Sequence, residues 1–247
     1  MPVMSLNKGI IFPKKGKNSP ELGPVAVVSG TETDLFVLCE LFAVDADDYQ
    51  KLFTSRLYES RNSTNGTSLC GPLVGAPYAV MVIENLIAWG AETLFFLGWC
   101  GSISQQVKIG DIVVATSALI DEGTSGHYQS NENGRSFPSE TLTTKLRTEM
   151  EQAQVKFHSG AIWTTDAIYR ETRHKVETYQ RLNALAVEME ISSLFTVARY
   201  RGVDLAALAV VSDELASYKW RPGFKLKEFK HGRQAACEVI KNVCRKM

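Results

Sequence analysis

Short, continuous apolar runs alternate along the chain with stretches whose apolar positions recur at helical spacing. "PVAVVSG" (24–30) reads as a buried strand that stops at Gly30. Residues 34–44 and 76–92 fit helices, the second capped by Gly90. "TLFFLG" (93–98) and "GDIVVATSAL" (110–119) read as strands, joined through a turn at "WCGSIS". Leu142, Leu146, Met150 and Ala153 mark one helix face, "KFHSGAIWTT" (156–165) is strand-like, 172–182 is helical and 185–187 is a short extended piece. Ile191, Leu194, Phe195 and Ala198 fall at i, i+3, i+4 and i+7 and predict a helix. "DLAALAVVS" (204–212) is a buried strand. Leu226, Phe229, Ala236, Ile240 and Val243 share one face of a closing helix over 225–246, whose basic face reads as solvated.

Two polar stretches interrupt this order. One, at 59–68, turns at Asn65-Gly66. The other, 121–140, is rich in Gly, Ser, Asn and Glu, and a loop of that length inside a compact domain is expected to be a lid or binding loop. The alternation of strands and helices predicts a single layered α/β domain over 24–247, preceded by an irregular arm, 1–23. Ligands of such folds sit beyond the strand ends. The residues just after each strand therefore carry the candidate chemistry: Gly30–Asp34, Gly98–Ser102, Thr165–Arg170, Glu188–Glu190 and Ser212–Glu214.

Composition narrows the picture mainly by exclusion. The 247 residues are 45% hydrophobic and 22% charged, and 27 basic residues balance 27 acidic ones, so no strong field draws the chain to nucleic acid or an anionic membrane. No apolar run approaches the roughly 20 residues of a membrane span. The N-terminal residues lack an apolar signal core. Five scattered cysteines without a C-x-x-C suit free thiols in a reducing cytoplasm, and four scattered histidines show no metal-ligand spacing. Neither a metal nor an organic cofactor is expected.

The acids after the strands remain. In "AVEMEISSLF" (186–195), Glu188 and Glu190 flank Met189 where an extended piece meets a helix. If the extended geometry persists, both carboxylates share a face. Ionised, they would accept the hydroxyls of a sugar diol. The plain alternative makes Glu190 an acid favoured by the helix dipole and Glu188 a solvated one. Asp213, straight after a buried strand, suits either a helix N-cap or a general acid. Gly98 and Gly101 bracket a turn whose spacing is not a dinucleotide fingerprint, but whose backbone N–H groups suit an anion or a sugar.

The order G-x-C-G (98–101), "IGDIVV" (109–114), "TTDAIY" (164–169), "VEME" (187–190) and "VSDE" (211–214) resembles the nucleoside phosphorylase superfamily. The resemblance is to the branch of purine nucleoside and uridine phosphorylases and methylthioadenosine nucleosidases. It implies a three-layer αβα domain with a central mixed sheet flanked by helices. It also implies cleavage of the N-glycosidic bond of a purine-type nucleoside, as in purine salvage, with inorganic phosphate as co-substrate. By the same resemblance Asp213 is the acid for the departing base, and Glu190, Met189 and Glu188 hold the ribose. Ile168, Tyr169, Cys100 and Gly101 join Asp213 around the base, and a homo-oligomer built from dimers, a dimer or a hexamer, is expected. Ile168 departs from the aromatic residue that relatives carry there.

The acceptor side departs further. Relatives that use phosphate carry G-D-P-x-R after the first strand. Here the stretch is "GTETD", which puts Asp34 at the arginine position, while Phe96 and Trp99 replace a second arginine and a hydroxyl residue. Such a site is expected to bind phosphate poorly unless other cations, Arg56, Arg61 or Arg170, join Gly30 and Trp99 there. Two alternatives therefore stay open: a hydrolase whose water is activated by Asp34 or Glu32, and a non-catalytic nucleoside-binding homologue.

Overall fold

The computed structural model describes residues 9–17, 19–20, 22–59, 66–128 and 134–247. In chain order the elements are β1 (Val25–Ser29), α1 (Glu32–Leu41), β2 (Gln50–Leu52), β3 (Ser55–Glu59), β4 (Ser68–Gly71), α2 (Ala76–Trp89), β5 (Thr93–Ser102), β6 (Ile112–Asp121), β7 (Arg135–Ser136), α3 (Glu140–Gln152), β8 (Phe157–Thr165), α4 (Arg173–Arg181), β9 (Ala184–Glu188), α5 (Ile191–Arg201), β10 (Asp204–Glu214), β11 (Arg221–Pro222) and α6 (Lys227–Arg245). Among the described residues, 11 strands join in one mixed sheet with helices around it.

The strand order is β11-β10-β6-β8-β9-β5-β1-β4-β3-β2, and β10 also pairs with β5. The strands β5, β10, β6, β8 and β9 therefore close on one another, and β1, β4, β3 and β2 extend from the ring as a wing. Closure explains the apolar runs. Leu205 to Val211 are all buried, because β10 is paired on both sides and covered by α3, α5 and α6. Each fully buried Leu or Val there contributes about 1.5–3 kcal/mol of transfer free energy.

The helices follow their patterns. The first turn of α2 carries a proline, and Gly90 ends the helix. Thr31, Ser139 and Thr172 cap α1, α3 and α4 through their hydroxyls.

Three expectations change. The hairpin of β2 and β3 arises where no strand is legible, with its turn at Phe53 in the left-handed region (φ 57°) rather than at an Asn-Gly or Asp-Gly. The "WCGS" segment is not a turn, because β5 continues through it to pair with β9 and β10. The expected lid does not reach the strand-tip pocket with its described residues. It lies against α5 instead, through Ser125–Thr196 (3.0 Å) and Ser136 Oγ to the Ser192 carbonyl (2.8 Å). The Asn65 turn lies partly outside the described residues.

Candidate active site

One cavity of about 210 Å³ opens where the C-terminal ends of β1, β5, β9 and β10 converge. Among its lining residues are Glu188, Met189, Glu190, Asp213 and Glu171.

Asp213 owes its place to an irregularity in β10. The pairing with β5 runs Val210 with Trp99 and Val211 with Cys100, then slips so that Asp213 meets Gly101. Ser212 is the extra residue, and a bulge of this kind re-aims the side chain that follows it. Gly101 makes room: a Cβ there would stand 3.1 Å from Asp213 Oδ2 and 2.5 Å from Leu215 Cδ1. Asp213 therefore sits inside a strand and caps no helix. Its Oδ1 accepts from Ser212 Oγ (2.6 Å) and its Oδ2 from the Trp220 indole (3.0 Å). Burial raises its carboxyl above the ordinary aspartate range, against the pull of those two donors.

The two glutamates diverge as the helix takes over. Glu188 turns inward and is not solvated. It accepts from Thr164 Oγ1 and from the backbone N–H groups of Glu190 (2.6 Å) and Ile191 (2.8 Å), closing the N-terminus of α5. Glu190 is the N-cap residue, and its side chain reaches across to the N–H of Gly75 (2.6 Å) at the start of α2. Gly75 adopts φ 81°, which a side chain would strain, and that turn presents its N–H to the carboxylate. Burial raises both glutamates above the usual carboxylate range, and the charge of Glu188 adds to the rise at Glu190.

Glu171 stands one residue beyond the Thr165–Arg170 stretch and is not among the candidates read from the sequence. It follows a 3-10 turn, Ile168–Arg170, and comes to the same cavity. Burial first, then the charge of Asp213, push its carboxyl from 4.5 to about 7, with Lys175 opposing. An acid whose folded pKa is raised binds protons more tightly folded than unfolded. Its contribution to stability is present below about pH 4.5 and is lost as pH rises through about 7. The melting temperature is therefore expected to fall across that window, and Glu171→Gln is expected to flatten the fall; differential scanning fluorimetry against pH checks it.

The remaining candidates divide. Gly30, Trp99, Cys100, Gly101 and Ile168 line the cavity. Burial, with Asp213 and Glu188 nearby, keeps the Cys100 thiol protonated, so it is no nucleophile. Tyr169 is 95% exposed and lies outside the lining. Arg170 is exposed and also outside it. Arg56 pairs with Glu32 (3.1 Å) and stacks on Phe36 and Tyr49 on the wing, away from the cavity. Arg61 lies outside the described residues.

Asp34 is not brought to the cavity either. It is fully buried, with Oδ1 on Arg233 Nε (2.6 Å) and Oδ2 shared by the Trp99 indole (2.5 Å) and Thr31 Oγ1 (3.0 Å). Both oxygens are taken and the charge is paired with Arg233, so neither oxygen is free for a water in this arrangement. Arg233, Phe224, Trp220 and Glu171 are the contributions that the sequence reading missed. Arg233 lies 199 residues from Asp34 along the chain, a distance no local pattern spans.

A mixed α/β sheet with buried carboxylates at its converging strand ends defines a small-molecule-binding protein of the strand-tip class. The comparisons give the family: one sequence model, described as the phosphorylase superfamily, matches residues 24–247, and the chain belongs to that family. It is similar to a guanosine phosphorylase of Halorubrum lacusprofundi, 34% identical over 174 residues, which cover 69% of this chain and 72% of the relative. It is also 27% identical to a DeoD-type purine nucleoside phosphorylase of Caldanaerobacter subterraneus, over 82% of this chain and 88% of that one. In fold it resembles a uridine phosphorylase of Vibrio fischeri (TM-score 0.81, 23% identity, 92% and 94% of the two chains). It likewise resembles a 5'-methylthioadenosine/S-adenosylhomocysteine nucleosidase of Helicobacter pylori (TM-score 0.76, 20% identity, 92% and 99%).

Proposed function

We propose that this protein cleaves the N-glycosidic bond of a purine-type nucleoside by phosphorolysis, releasing free base and ribose 1-phosphate. The observation that carries the reading is that Asp213 and Glu190 line one cavity, with Met189 between the two glutamates. The C1′–N9 bond breaks with its electron pair passing into the base, and Asp213 donates a proton to the imidazole ring. The sugar becomes oxocarbenium-like and a phosphate oxygen attacks C1′. Glu190 accepts the ribose hydroxyls, and Met189 packs on the sugar's apolar face. Glu188 holds the start of α5 and so fixes where Glu190 sits.

The phosphate end is assigned to Gly30, Thr31 and Trp99, where α1 begins and its dipole favours an anion. The carboxylate that the sequence places there repels phosphate less than expected, since Arg233 cancels it. One observation favours a second reading, hydrolysis: among the described residues, no Arg or Lys lines the cavity. Incubating the protein with purine nucleosides with and without phosphate separates the two. Base release that requires phosphate supports phosphorolysis, release without it supports hydrolysis, and binding without release leaves a nucleoside-binding homologue.

Glu190→Gln is expected to raise KM for the nucleoside and lower kcat together. Each charge-assisted hydrogen bond contributes about 1.5–3 kcal/mol, so kcat/KM should fall roughly 10- to 100-fold. Steady-state kinetics check it, and an unchanged kcat/KM would remove Glu190 from the ribose site.

An assembly built from dimers is part of the proposal. Ile11 (94% exposed), Phe12, Phe53 and Met81 border a separate groove of about 930 Å³ that shares no lining residue with the cavity. Light scattering gives the mass. A reducing cytoplasm suits the free, buried state of all five cysteines, and among the described residues no helix is long and apolar enough to cross a membrane.

A further inference from the structure

Glu171 is the acid of the cavity that the protein leaves unmatched. Glu188 has three donors, Glu190 has the N–H of Gly75, and Asp213 has Ser212 and Trp220. Among the described residues no hydrogen bond or ion pair reaches the Glu171 carboxyl. The nearby cation, Lys175, is committed to Asp121 at 2.7 Å, which also accepts from the Trp163 indole at 3.0 Å. A half-buried carboxylate without donors is costly until a ligand brings them.

The neighbours say what the ligand must offer. Glu171 shares the base end of the cavity with Asp213, Ile168 and Val187. With Asp213 on the imidazole ring of a purine, a second acid meets the six-membered ring. An ionised carboxylate is acceptor-only and has two oxygens to fill. Guanine presents N1–H and its 2-amino group side by side, two parallel donors for one carboxylate. Hypoxanthine presents N1–H alone. Adenine presents a bare N1 lone pair, and uracil flanks its single N–H with two carbonyl oxygens, both repelled by an acid.

We propose that Glu171 is the base-reading residue of this pocket and selects nucleosides of 2-amino-6-oxopurines by accepting the N1–H and 2-amino hydrogens. This assignment rests on the purine-nucleoside cleavage proposed above. The test is kcat/KM for guanosine, inosine and adenosine in the wild type, Glu171→Gln and Glu171→Ala, with calorimetric binding of guanosine and adenosine alongside. The wild type should favour guanosine over inosine about tenfold and over adenosine about 100-fold or more. Both variants should shrink the guanosine-to-adenosine ratio by about 10- to 100-fold, whereas a general loss of structure would lower all three substrates alike.

Equal turnover of guanosine and adenosine by the wild type overturns the assignment and leaves the cleavage reading standing. So does a ratio that both folded variants preserve. If no nucleoside is cleaved, the cleavage reading falls and binding decides for Glu171. A guanosine preference that Glu171→Gln abolishes upholds the assignment, and indifference between the two nucleosides ends it.

Discussion

Asp213→Asn is expected to lower kcat on purine nucleosides by about 10²- to 10⁴-fold while moving KM little, since a general acid acts in the transition state and not in ground-state binding. The amide fills the same space on the bulged strand and keeps polar atoms facing Ser212 and Trp220, so folding should survive. What it cannot do is hand a proton to the departing base. A nucleoside whose imidazole ring already carries a positive charge, such as 7-methylguanosine, makes the role specific: it needs no proton, so the variant should cleave it at close to the wild-type rate. The wild type should lose activity on ordinary purine nucleosides as pH rises and Asp213 gives up its proton, and burial places that loss higher than an exposed aspartate would. A variant slowed equally on both kinds of nucleoside would show that Asp213 shapes the pocket without donating a proton.

What the sequence made legible follows from how local each signal is. The helix α5 announces itself through Ile191, Leu194, Phe195 and Ala198, because a buried face repeats every turn. The strand β10 announces itself as an unbroken apolar run, because it is covered on both faces. Glu190 and Asp213 were findable because they stand immediately after such runs, where strand tips meet solvent and ligands. The limits are equally physical. The bulge at Ser212 is a relation between two strands, so the sequence alone placed Asp213 past the strand end rather than inside it. Glu171 depends on the 3-10 turn that carries it inward, and its neighbours in sequence, Arg170 and Arg173, are surface charges. The turn of the β2–β3 hairpin lacks the glycine that would mark it.

The four acids reach one cavity by different routes: Glu188 and Glu190 from the end of β9, Asp213 from a bulge in β10 and Glu171 from the turn after β8. Closure of β5, β10, β6, β8 and β9 on one another makes those ends converge. An open sheet with the same strands would spread them along one edge, since neighbouring strands lie about 4.8 Å apart. Proton donor and sugar-binding carboxylate thus share a site because of topology. Glu188, Glu190 and Asp213 each have a plain structural explanation alone, and only the convergence of all four acids has a chemical one.

The largest expected effect on stability lies behind the cavity, at Asp34. Removing one partner of a buried pair leaves the other charge stranded, which costs about 3–5 kcal/mol. For a domain of this size, Asp34→Ala should lower the melting temperature by roughly 6–20 °C. The cost falls on Arg233, which is 13% exposed and has no other carboxylate within salt-bridge distance among the described residues. It falls also on the Trp99 indole, whose N–H loses its acceptor. A double substitution, Asp34→Asn with Arg233→Met, removes the stranded charge and should recover most of the loss, because a well-packed apolar replacement of a buried pair is often neutral. The same variants decide between Asp34 as a prop and Asp34 as a base for water. As a prop, it affects denaturation midpoints strongly and turnover per folded molecule far less than Asp213→Asn does. If the double variant regains stability but stays as slow as Asp213→Asn, Asp34 takes part in the chemistry, and the saturation of both its oxygens would have to break during turnover.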